Sequence, residues 1–513
     1  MDCRNVKKGL KTYRLLAPEV IKLRLKSIGV LFVLLVLLNS CDKFLDESPD
    51  NRVELDNLDK AAQLLTSGYS IASPAFTDWM SDDFTYTFGT VIRPEHTEMY
   101  AWDDVTTGPD ELDTPNFYWY ETYNAIAHAN EVLAIIDKLV VSEEEYPRRN
   151  AIKAEALLIR AYSHFMLVNL FGEQYGTDDS SDGVPYIRDP ETTFIETYER
   201  ESVKKVYVKI EDDLLEGLKM LDDAFYNNSG KYHFNKNAAL AFASRFYLFK
   251  GDLIRCAQYT DELLGASPEV FVRDLTSEEF QNQKSSITGY PRLYSSPDLP
   301  SNILLMRKIS LVQRPDFAYG VDRNFYGSLF ATNPFGATDE RENPAFIKGQ
   351  NALFPVRYES LFERSSLNSN VGTPYHIGIM FRGEEVLMNR IEINIYQNNL
   401  TEALADLQIL TDKRYTGADV TLTMDLLRKF YGAEDDDTFT DEDILLNYLL
   451  LERRKEFIGQ GYRWFDIKRY QIAVDHLQSD GVSIDRLQSN DKRKILQIPP
   501  SAVDVGGLEK NPR

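Results

Sequence analysis

Cys41 carries the clearest chemical assignment in the chain, because the stretch before it has the make-up of an export signal that ends in a lipid-attachment cysteine. Lys22, Arg24 and Lys26 supply a positive flank, Ile28 to Leu38 an apolar stretch of signal length, and Ser40 the small residue before the thiol. That apolar stretch is too short to cross a bilayer, which takes roughly twenty residues. The expectation is a signal peptide over residues 1–40 and acylation of Cys41, with the chain anchored to a membrane and not spanning it. One acyl chain holds marginally and two or more hold firmly. Cys3 leaves with the leader, so Cys256 is the only free thiol that remains and no internal disulfide is expected.

Other residue patterns that could do chemistry fall short of their requirements. Asp178, Ser180, Asp182 and Gly183 open like a calcium loop, but Pro185 follows, the twelfth position is Asp189, and no exiting helix is evident; no metal is expected. The histidines (His96, His128, His164, His233, His376 and His476) show no ligand pairing at helical intervals, and no zincin, Walker or nucleophile-elbow spacing occurs. Arg453, Arg463, Trp464 and Asp466 look like a charged pocket, yet read better as helix-end ion pairs around a Trp anchor. No catalytic residue and no cofactor is assigned, and the chain is read as not an enzyme. The net charge of −23 disfavours nucleic acid and anionic lipid surfaces as partners. With 29 Tyr and 28 Phe the chain has rings enough for both a core and exposed stacking surfaces.

The elements that must position such surfaces are mostly helices. Apolar residues recur at helical spacing in residues 117–138, 151–171, 202–221 and 237–249. An alanine-rich helix meets Gly251-Asp252 and is followed by a second helix to Leu264, and residues 384–415 repeat that plan with Asn398-Asn399 at the turn. Small residues such as Ala239, Ala243 and Ser244 let a neighbouring helix approach, as in helix-pair repeats. The fold expected is mainly α, a tetratricopeptide-like helix-pair scaffold over about residues 41–266 and 379–513. Between about 267 and 378, Pro, Gly, Asn and Ser become frequent, which predicts a loop-rich insertion forming a binding face together with residues 75–115.

Four blocks in order resemble the SusD-like (RagB/SusD) family of outer-membrane lipoproteins. They are the aromatic helix ending in Asn130-Glu131; Ala154-Glu155-Ala156 through Arg160-Ala161-Tyr162, Leu170-Phe171-Gly172 and Gly183-Val184-Pro185; the alanine-rich Ala238 to Asp252; and Leu451 to Phe457 with Gly461-Tyr462-Arg463-Trp464-Phe465-Asp466, closing at Ile498-Pro499. The resemblance implies a glycan-binding lipoprotein on the cell surface, lid and delivery partner of a TonB-dependent SusC-like transporter in the outer membrane. It also makes Asp42, Asp46 and Glu47 similar to a surface-export tag. The alternative from another class is a helical-repeat scaffold that assembles with the transporter and binds peptide or another non-glycan nutrient.

Sugar capture needs flat apolar faces for the C–H side of pyranose rings and polar side chains for the hydroxyls, which loop aromatics supply. The candidates are Trp79, Asp82, Tyr100 and Trp102 in the first loop region, and Tyr290, Tyr294, Tyr319, Arg323, Asn324, Phe325 and Tyr326 in the insertion.

Overall fold

The computed structural model describes residues 55–513 except 179, 192–195, 313–316, 343–344, 349–351, 435 and 437. The signal peptide, Cys41 and the acidic residues that follow it lie outside the described residues.

The scaffold is helical and built from antiparallel pairs. Helices α1 (Pro115–Ile135), α2 (Tyr146–Phe171) and α3 (Val203–Met220) pack side by side, and α4 (Lys236–Lys250) with α5 (Leu253–Leu264) continues the array. Helix α2 is buried on nearly every side from Ala151 to Phe171, and its polar residues Glu155, Arg160, His164 and Asn169 are buried with the rest. Gly217 of α3 makes close approach possible, since a Cβ there would sit 2.8 Å from the Leu158 side chain. Arg160 of α2 ties three elements together. Its guanidinium donates to both Asp213 oxygens in α3, at 2.7 and 2.9 Å, and to Asn130 of α1 at 3.0 Å. Two of the sequence blocks thus meet in one buried hydrogen-bonded set.

The α4–α5 turn follows from its residues. Asn235 caps the start of α4, Gly251 ends it in the left-handed conformation at φ 77°, and Asp252 caps α5. Ala238, Ala239, Ala241, Ala243 and Ser244 are all buried in α4, the contact expected of small residues.

In the insertion, α6 (Arg323–Ala331) follows strand β3 (Tyr319–Asp322). Strand β3 pairs antiparallel with β1 (Thr85–Tyr86), Tyr319 opposite Tyr86, and on its other edge with β5 (Ala352–Pro355), which pairs with β4 (Ala345–Lys348). A second sheet runs β2 (Asn302–Lys308), β7 (Gly372–Arg382) and β6 (Leu361–Arg364). Strand β7 leads straight into α7 (Gly383–Tyr396), whose partner is α8 (Leu400–Asp412). The chain closes with α9 (Asp441–Phe457), α10 (Tyr462–Arg469) and the hairpin β8–β9 (Val474–Leu477, Ile484–Leu487).

The insertion is locked to the helices by buried charges. Arg341 donates to both Asp339 oxygens and to Glu452 of α9 at 2.7 Å; Arg414 holds Glu456 of α9 at 2.9 Å and Glu384 of α7 at 3.3 Å; Arg273 shares Glu384 at 3.0 Å. The side chains of this set are essentially inaccessible to water.

Candidate functional site

The first loop region, β3 and the closing hairpin meet around a file of rings. Arg493 lies over Trp102, whose ring stacks on His476 at 4.3 Å. His476 stacks on Tyr100 at 4.0 Å and 6°, and Tyr100 on Tyr319 at 4.3 Å. Tyr319 leads to Tyr86 at 5.7 Å, and Tyr86 to Phe88 at 4.8 Å in an edge-on contact. Hydrogen bonds hold the file in register: Trp102 Nε1 donates to the Met80 carbonyl, Tyr100 hydroxyl donates to Leu477 and accepts from the Tyr86 amide, and the His476 nitrogens lie 2.7 and 2.9 Å from the Tyr100 and Ser81 carbonyls.

The file reaches water at Phe88. This side chain is 54% exposed, its backbone lies at φ 59°, and its ring edge rests on Gly481 at the tip of the β8–β9 hairpin. A bulky residue in the left-handed region is uncommon and strained, and such strain gathers where a surface is shaped for contact. Val91, Ile92, Val482 and Ile484 add exposed aliphatic side chains from the same loop and hairpin.

At the far end of β3, Asp322 caps α6 by accepting from the Asn324 and Phe325 amides. Arg323 and Asn324 are exposed there and Phe325 is half-buried beneath Arg454, 4.8 Å from its ring centre. From Ala318 to Arg323 the strand advances roughly 16 Å at about 3.3 Å per residue. Arg463 grips Asp82 with two bonds of 2.8 and 2.9 Å, and Arg454 holds Asp83 at 2.6 Å. Burial pushes the Asp82 carboxyl up, but Arg454 and Arg463 outweigh it and bring it down to about 2. Asp82 is therefore an ionised strut between the first loop region and α10.

The structure corrects seven of the proposed contacts. Trp79, Tyr100, Trp102, Tyr290, Tyr294, Tyr319 and Tyr326 are buried, so their rings offer no open face to a ligand. Trp79 stacks on His96 and meets Phe84 and Phe317 edge-on; Tyr326 donates to the Glu342 carbonyl. Tyr290 and Tyr294 sit in a separate small cluster with Phe280, Leu305 and Tyr358. The first loop region and β3 do come together, but the surface they make is carried by Tyr86 and Phe88, which the sequence reading passed over. The signal available was the T-Y-T-F-G run at 85–89 inside a region already marked as working surface.

Three cavities hold about 70, 10 and 30 Å³. Sites that enclose a small molecule measure roughly 300–1,000 Å³.

Asp113 joins this region to the insertion by accepting the Leu311 amide at 2.5 Å. Burial raises its carboxyl to about 6, so between pH 3.8, the ordinary aspartate value, and pH 6 the folded chain holds a proton that the unfolded chain has released. Stability from this group is present below the unfolded value and falls as pH rises through 6. Asp113→Asn is expected to raise stability by about 1–3 kcal/mol above pH 6 and to gain nothing near pH 3.5; denaturation midpoints across that range check it. Asparagine also suits the backbone there, at φ 62°.

Comparisons with known proteins follow the same lines. Residues 43–248 match the family described as SusD-like, starch-binding and associating with the outer membrane, and residues 366–505 match the SusD family. The SusD-like protein P38 of Formosa agariphila is 20% identical, covering 90% of this chain and 95% of its own length. A putative sugar-binding protein of Bacteroides vulgatus superposes with TM-score 0.65 at 20% identity, covering 89% of this chain and 97% of its own. A laminarin-binding SusD-like protein superposes with TM-score 0.54 at 18% identity, covering 89% and 98%.

Proposed function

Because the chain belongs to the SusD family, a family of carbohydrate-binding proteins associated with the outer membrane, we propose that it captures oligosaccharide on the open face around Phe88 and delivers it to a SusC-like TonB-dependent transporter. In this reading the protein is a lipid-anchored, surface-exposed lid, held at Cys41 and free of catalysis. The observation that carries it is the ordered file of rings that emerges at an exposed, strained Phe88. The buried rings behind it act as backing. They fix the angle of the outermost ring, so little ordering cost falls on binding.

Arg323 and Asn324 at the other end of β3 supply polar contacts for hydroxyls, with the half-buried Phe325 ring beside them. A separation of roughly 16 Å along the strand suits an extended chain of sugars and not a single ring. Affinity is modest, because an open face leaves many hydroxyls in water.

The aliphatic border of Ile92, Val482 and Ile484, exposed by 62, 81 and 63%, favours a second reading in which this face meets protein. Aliphatic side chains give no flat platform to a pyranose, and they suit a peptide nutrient or the transporter itself. Affinity electrophoresis of the whole protein through gels containing laminarin, starch and other polysaccharides separates the two. Retardation by at least one is expected, and mobility unchanged in all of them would leave the protein-contact reading. Fatty-acid labelling that is lost in Cys41→Ala is the expected result for the anchor.

A further inference from the structure

Lys308 is a cation with no anion. Its side chain ends strand β2 inside the protein, only 7% exposed, and no carboxylate pairs with it among the described residues. Its ammonium donates to the Ser70 and Ala72 carbonyls at 2.5 and 3.1 Å, which accounts for two of three protons. Two other buried cations of the insertion, Arg273 and Arg341, meet carboxylates, whereas Arg357 donates to the Lys455 carbonyl. Burying an unpaired charge is costly, and proteins pair it or neutralise it.

The place is shaped for that side chain. Gly378 lies across the strand pair, and a Cβ there would come within 2.7 Å of the Lys308 Cγ, so only glycine leaves room for the stem. His376 is the direct partner of Lys308 across the β2–β7 ladder. Beside them is a cavity of about 30 Å³, bordered also by Ser310, Tyr358 and Gln460. Roughly 10–15 Å³ admits one water, so the space fits a monatomic ion with a water and excludes a sugar or any organic acid of its size.

The geometry points to a binding site for a small inorganic anion of chloride size, held between the third Lys308 proton and the His376 ring. Left without one, both bases resist protonation: burial lowers Lys308 to about 7, and burial together with Lys308 lowers His376 to about 3. An anion between them offsets both effects and locks the 70–72 segment, which also bridges to Ile309, onto the end of β2. That segment leads directly into the short helix carrying Trp79.

The test uses the whole protein. Replacing gluconate by chloride at constant ionic strength is expected to raise the melting temperature by about 1–2 °C per tenfold chloride once the site begins to fill, and Lys308→Met is expected to abolish the response. Crystals of the unmodified protein soaked in bromide provide a readout independent of that variant's folding, with an anomalous peak expected within hydrogen-bond reach of Lys308 Nζ. An empty cavity in bromide, or a chloride response equal in wild type and Lys308→Met, would overturn the assignment and leave Lys308 a purely structural strut.

Discussion

Replacing Arg341 by alanine is expected to destabilise the folded chain by about 3–5 kcal/mol, the range for breaking a buried ion pair by removing one partner. The magnitude follows from what is left behind. Asp339 and Glu452 would lose a guanidinium that serves both, in a place with no access to water. Neither carboxylate could be rehydrated without opening the contact between the insertion and α9.

Acid should act on the same cluster. Burial alone would raise the Glu456 carboxyl, but Arg414 and Arg341 outweigh it and hold it well below its ordinary range; Asp339 is lowered likewise, chiefly by Arg341 against its burial. Groups with depressed folded values contribute stability that is complete above their unfolded values, near 4.5 for glutamate. That contribution is lost as pH falls below about 4 toward the folded values. Denaturant midpoints between pH 7 and pH 2.5 should therefore fall steeply in the wild type and more shallowly in Arg341→Ala. A pH profile identical in the two, or a loss under 1 kcal/mol, would show that the cluster does not hold the insertion.

The second large effect separates backing from contact. Trp102→Ala is expected to cost about 3–5 kcal/mol of stability, because it empties a buried site between His476 and Arg493 and leaves the Met80 carbonyl without its donor. Phe88→Ala should leave the melting temperature within a degree or two, since more than half of that ring already faces water. Its cost falls on the ligand. Covering such a ring is worth about 1.5–3 kcal/mol, or roughly a ten- to hundredfold loss of glycan affinity. Were Trp102→Ala to remain fully stable and lose binding, the ring would be a contact residue and the file would have to open in solution.

Which features could be read from the sequence follows from the range of the interactions. The pairs α4–α5 and α7–α8 announce themselves locally, through alanine-rich periodicity, caps, and turn residues with positive φ at Gly251 and Asn398. The sheet that carries the face has no such signal. Strand β1 has two residues, and its partner Tyr319 lies more than two hundred positions away. The buried ionic cluster was equally hidden, because Arg341 or Glu452 in a sequence looks like any solvated charge. The tryptophans misled in the opposite direction. Trp79 and Trp102 lie outside strong helical periodicity, which suggested exposure, yet the loops that bear them fold inward and make the core beneath the site. Phe88, between Thr87 and Gly89, was marked only by the T-Y-T-F-G run, a weaker signal than a tryptophan.

The most direct measurement is isothermal titration of the intact protein and of Phe88→Ala with oligosaccharides of increasing length, laminarin-derived chains among them. The account predicts binding of at least one series that strengthens until the chain spans the distance from Phe88 to Arg323, and that weakens at least tenfold in Phe88→Ala with the fold unchanged. Equal affinity in the two proteins, or no heat with any glycan, would contradict it.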